Sequence, residues 1–198
     1  GVFTTLTLDL RQYGELKMFA HTESVEGYPE IRDGDLSAVI RIGNDFVGNY
    51  YEVRIPLKVT PFGRYTDQQN DIVWPLDNEL RLSLQRLIDL KIRRNNVSQP
   101  NLYYKETDDD GKSYAIFGNP NLGEVRGMFV GVVNNTTGDA CTEVWFNELR
   151  LSSIDEKGGW AAIGRIDLRL ADLGVINFSG TARSTGFGTL EQRVNERS

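Results

Sequence analysis

Between Trp160 and Ser184 the chain keeps a two-residue hydrophobic rhythm through two consecutive stretches. A helix would scatter such a set around its circumference. Trp160, Ala162, Gly164, Ile166, Leu168 and Leu170 make one series, and Arg165, Asp167 and Arg169 fall in the other. Side chains alternate across a strand, so one face is apolar and one is charged. Residues 171 to 174, Ala-Asp-Leu-Gly, supply turn chemistry, after which Ile176 and Phe178 alternate with Asn177, Ser179 and Thr181. The pattern predicts a hairpin. Strands of about 9–11 residues with a continuous outward apolar row can form part of a bilayer-spanning barrel. A hairpin packed on a sandwich has the same signature.

The same period runs through the rest of the chain. Leu6, Leu8 and Leu10, then Leu16, Met18 and Ala20, read as half-buried antiparallel strands, and a polar loop spans 23 to 35. Leu36 to Ile42 and Tyr51 to Val59 form the clearest hairpin, across a turn at 43 to 49. Pro56 lacks an N–H for the ladder, so the second of these strands is either at a sheet edge or disrupted there, and the edge is the expectation. Residues 60 to 78 read as a long surface connection anchored by Trp74, and Leu87, Ile88 and Ile92 shift to helical spacing, which predicts one helix near 84–93. Asp108 to Gly111 has the composition of a hairpin turn, and Val125 to Val133 is apolar on both faces, interrupted by Gly127 and Gly131. In the closing strand, 142 to 152, the parity of the apolar residues changes between Phe146 and Leu149, as at a β-bulge. These elements predict an all-β fold: an antiparallel jelly-roll-like β-sandwich over 1–152, with one short helix, and a C-terminal hairpin extension over 153–198.

Several runs carry a resemblance. Glu143 to Ser152 (EVWFNELRLS), Asp155 to Ala162 (DEKGGWAA), and the Ala-Asp-Leu-Gly turn followed by Thr185 to Gly188 (TGFG) resemble the SprA/Sov family. Its members are very large outer-membrane proteins of gliding and type 9 secreting bacteria. The resemblance is ordered over about 45 residues, and residues 1–140 share only its general style. It implies a non-catalytic piece of a protein translocon, located in the outer membrane through a parent chain whose sandwich lies on the periplasmic or extracellular side. The partners it implies are other parts of the barrel, secretion-system lipoproteins or secreted cargo. The chain opens at Gly1 inside a strand pattern and shows no signal peptide, as an excised fragment would, and such a fragment could self-associate through unpaired strands. The run Val144 to Leu151 is also similar to the last strand of jelly-roll carbohydrate-binding modules. That makes a cell-surface sugar-binding module the alternative function.

Composition narrows the chemistry. A net charge of −6 with dispersed acids argues against nucleic acid, which needs clustered Lys and Arg; the pair Arg93 and Arg94 reads as a solvated helix end. No apolar run reaches the length of a membrane-spanning helix. One histidine, His21, and one cysteine, Cys141, leave neither a recognisable nucleophile system nor a cysteine metal cluster, and Asp108 to Gly111 departs from a calcium loop at Lys112. The expectation is therefore no catalysis, no cofactor and no metal. The candidate interaction surface is aromatic: Trp74, Tyr65, Trp160 and Phe187. Among the sandwich rings, Tyr28, Tyr50, Tyr65 and Trp74 could stack on sugars or pack into the core.

Overall fold

A computed structural model describes residues 1–154, 160–170 and 174–184. The chain divides into two compact units, Gly1–Ile154 and Asp155–Ser198. In the first, β1 (Val2–Leu8), β2 (Tyr13–Ser24), β3 (Leu36–Gly43) and β4 (Tyr50–Pro56) lead to a short helix, α1 (Asn70–Val73). They are followed by β5 (Glu79–Ser83), the main helix α2 (Leu84–Val97), β6 (Tyr104–Thr107), β7 (Ser113–Phe117), β8 (Val125–Asn134) and β9 (Thr142–Ile154). A six-stranded antiparallel sheet has the order β1-β8-β3-β4-β7-β6, and a three-stranded one the order β5-β2-β9.

Alternation makes the fold sandwich-like. Leu16, Met18 and Ala20 of β2 and Leu80 and Leu82 of β5 share one buried cluster with Ile40, Ile42, Val53, Ile55 and Ile116 of the larger sheet. Leu84, Leu87 and Leu90 of α2 fill the same core at helical spacing. Burying each such side chain contributes about 1.5–3 kcal/mol. The helix extends from the predicted start to Val97.

Two expectations change. β4 lies between β3 and β7, not at an edge. Pro56 is tolerated there because β7 pairs only as far as Arg54 opposite Ser113, so the proline ends the strand beyond its neighbour's reach. Arg94 is fully buried, not solvated. It falls on the inward stripe of α2 after Leu87 and Leu90, and its Nη1 donates to the Gly118 carbonyl at 2.9 Å. Arg93 does face outward and makes a two-pronged pair with Glu106 at 2.8 and 2.7 Å.

The outer face of the six-stranded sheet is closed by its own side chains. Glu52, 1% exposed, accepts hydrogen bonds from Arg41 Nε and Arg54 Nε, each at 2.6 Å, and from the Tyr103 hydroxyl at 2.9 Å. Burial pushes the Glu52 carboxyl up, but those three hydrogen bonds outweigh it and hold the group below the usual carboxylate range. The Arg41 guanidinium lies 4.5 Å from the centre of the Tyr50 ring. The glycines of β8 have a local reason: a Cβ on Gly127 would stand 2.5 Å from Phe46 Cζ, so the Phe46 ring can lie on the strand only where there is no side chain.

Removing Glu52 leaves two guanidiniums facing one another, so Glu52→Ala should cost about 3–5 kcal/mol in urea unfolding. A second test concerns the turn between β3 and β4. The Asp45 carboxylate accepts from the Asn49 side chain at 2.9 Å and from the backbone N–H groups of Val47, Gly48 and Asn49. The Asn49 amide bond leads, opposed by burial and helped by the backbone bonds, and the pKa falls from 3.8 to about 2. Because the folded value lies below the unfolded one, the stabilisation is complete above pH 3.8 and disappears as pH falls through about 2. The stability difference between the wild type and Asp45→Ala should therefore shrink across that acid range in pH-dependent unfolding.

Candidate functional site

Strand β2 sends every second side chain away from the core, and these outward residues build the site. Phe19, His21 and Glu23 alternate with the buried Met18, Ala20 and Thr22. β5 accompanies β2 only from Glu15 to Phe19. Beyond it, Thr60 takes the neighbouring place: its backbone N–H donates to the Thr22 carbonyl at 2.8 Å. The segment from 59 to 77 then arches over His21 and returns.

The base of this loop is closed by a residue the alternation does not mark. Asn78 is fully buried and reads the main chain of Lys58 as a strand would, accepting from its N–H at 2.7 Å and donating to its carbonyl at 2.8 Å. At the crown, His21 Nδ1 is 2.7 Å from the Val73 carbonyl and 3.1 Å from the Thr60 hydroxyl. A carbonyl only accepts, so Nδ1 carries the hydrogen, and the Thr60 hydroxyl donates to the Ile72 carbonyl at 3.2 Å. The His21 ring is flanked by Trp74 at 5.7 Å and Trp145 at 5.6 Å between centroids. This explains a 3% exposed histidine on an outward strand position: two indoles and the loop cover it.

Beside Trp74 the loop and sheet leave a cleft of about 300 Å3 lined by Phe19, Asn70, Trp74, Asn147 and Glu148. The β9 side of the cleft depends on the bulge that the sequence predicts. Asn147 stands opposite Phe19 and Arg150 opposite Lys17, so Glu148 and Leu149 together face one residue of β2. Glu148 adopts a φ of 55°, and its N–H is held by Asn147 Oδ1 at 2.9 Å.

The second unit is a hairpin described by itself. β10 (Ala161–Leu170) and β11 (Gly174–Arg183) pair over ten positions. One face carries Ala162 opposite Ala182, Gly164 opposite Gly180, Ile166 opposite Phe178 and Leu168 opposite Ile176. The other carries Ile163 opposite Thr181, Arg165 opposite Ser179 and Asp167 opposite Asn177. Ile166 and Phe178 are each 58% exposed.

The four aromatic candidates fall in different settings. Trp74 is half-buried against His21, and Tyr65, also half-buried, donates its hydroxyl to the Pro61 carbonyl within the same loop. No ring contact joins these two among the described residues. Trp160 is exposed at the open end of the hairpin, where its N–H donates to the Ser184 hydroxyl at 2.8 Å, and Phe187 lies outside the described residues. Of the other sandwich rings, Tyr50 is buried beneath Arg41, whereas Tyr28 is exposed. Asn70, Asn147 and Glu148 escape a reading by residue type, because nothing local distinguishes them from turn and surface residues.

A family model described as motility related/secretion protein matches residues 1–198. No curated protein matches the chain.

Asn78→Ala should remove both hydrogen bonds that tie the Lys58 main chain to the returning end of the loop, at a cost of about 0.5–1.5 kcal/mol each. The expected readout is faster proteolysis between 59 and 77 and faster hydrogen exchange at Ile72 to Trp74, with exchange in β3 and β4 changed much less.

Proposed function

The chain belongs to the SprA_N family of motility-related and secretion proteins over residues 1–198, and from that premise we propose that it is a non-catalytic segment of a large outer-membrane translocon. In this reading it serves type 9 protein secretion and, in gliding species, motility. The observation that carries the reading is the β10–β11 hairpin. Its ten paired positions match the roughly 9–11 residues that a tilted barrel strand needs to cross a bilayer. Its two faces also differ as those of a barrel wall do, with only small and apolar residues from Ala162 to Leu168 and from Ile176 to Ala182 on one, and Arg165, Asp167, Asn177 and Ser179, interspersed with Ile163 and Val175, on the other.

On that geometry the apolar face meets lipid and the charged face meets the aqueous lumen. The first unit, Gly1–Ile154, is then a folded attachment at one membrane surface, with barrel segments, lipoproteins or cargo as its partners. Its buried histidine and a Glu52 already engaged by Arg41, Arg54 and Tyr103 support a binding and scaffolding role over a reaction.

The test is a contrast between faces in the parent protein. Ile166→Arg puts a charge into lipid, costing about 2–4 kcal/mol at mid-depth. It should reduce the folded protein recovered from the outer membrane and the cargo secreted. Ser179→Arg, on the lumen side, should leave both close to the wild-type level. Equal effects of the two substitutions would remove the barrel-wall reading.

A further inference from the structure

We propose that the cleft beside Trp74 is a saccharide site that takes a neutral pyranose ring, a role that goes beyond the export reading and does not rest on it. Its volume of about 300 Å3 is at the lower end for small-molecule sites, about 300–1,000 Å3. A pyranose presents a face of C–H bonds and a rim of hydroxyls that both donate and accept. The cleft offers the complement of each: Phe19 and Trp74 supply ring surface, while the amides of Asn70 and Asn147 and the carboxylate of Glu148 supply donors and acceptors.

The polar groups are held in place by the fold. In a regular strand Asn147 and Glu148 would point to opposite faces, but the bulge and the positive φ of Glu148 bring both to the cleft. Asn147 uses its Oδ1 to accept from the Glu148 N–H, which leaves its amide nitrogen to donate outward to a ligand. Trp74 is fixed by its packing against His21, so the platform does not have to be ordered on binding. Charge selects among sugars: the Glu148 carboxylate is paired with the Arg150 guanidinium at 3.2 Å and the other four lining residues are uncharged, so the cleft offers no unpaired cation to a uronic or sialic acid and suits neutral rings.

The whole 198-residue chain can be titrated with neutral gluco-, manno- and galacto-oligosaccharides and with a uronic-acid oligomer, read by saturation-transfer NMR and tryptophan fluorescence. Binding of at least one neutral sugar is expected, with Kd of about 1 mM, as suits one ring platform with few hydrogen bonds. Asn70→Ala and Asn147→Ala, both at exposed positions, should each weaken it by about fivefold, the worth of one hydrogen bond. Trp74→Ala should abolish it, and because that change also uncovers His21, the two asparagine variants carry the decision. Absence of transfer to every neutral sugar, binding of the uronic oligomer alone, or an affinity unchanged in both asparagine variants would overturn the proposal.

Discussion

The first unit depends on the two faces of β2. Leu16, Met18 and Ala20 point into the shared core, and Phe19, His21 and Glu23 point the other way. A strand in that position cannot slip by one residue without exchanging its apolar set for its polar one, so core burial also fixes the register of the outward groups. Everything placed over the outer face, from Thr60 and Trp74 to the bulged stretch of β9, is positioned against that register.

Buried polar groups then determine what covers the sheets. Asn78 closes a loop of some twenty residues with one side chain, Glu52 holds two arginines and a tyrosine, and Arg94 clamps the Gly118 carbonyl. Apolar contacts are non-directional and accept many arrangements. A buried amide or carboxylate accepts few, because leaving it unpaired is expensive. These groups therefore specify where the loops lie more than they increase total stability.

The hairpin of the second unit follows a different logic. Its apolar face pairs Ile166 with Phe178 and Leu168 with Ile176, yet all four side chains remain exposed among the described residues. A two-stranded ribbon is marginal alone in water. In the barrel-wall reading proposed above, lipid would take the place of the missing core on one side and water would meet the other.

Periodicity by itself determined the strands, the turn at Asp108 to Gly111 and the bulge after Phe146, because each leaves its mark within a few residues: alternation, turn chemistry, a change of parity. It also determined the two faces of the hairpin, since pairing partners on one face follow from the turn position. Strand order was decided only in three dimensions, and so Pro56 belongs to a central strand whose neighbour simply ends before it. The same holds for Arg94, Tyr50 and Asn78, whose burial depends on carbonyls, guanidiniums and main chain brought from 24, 9 and 20 residues away. The cleft is the extreme case, joining Phe19, Asn70 and Asn147 from three separate parts of the chain. Alternation says which way a side chain points; only the long-range ladder and the closed loop say what it meets there.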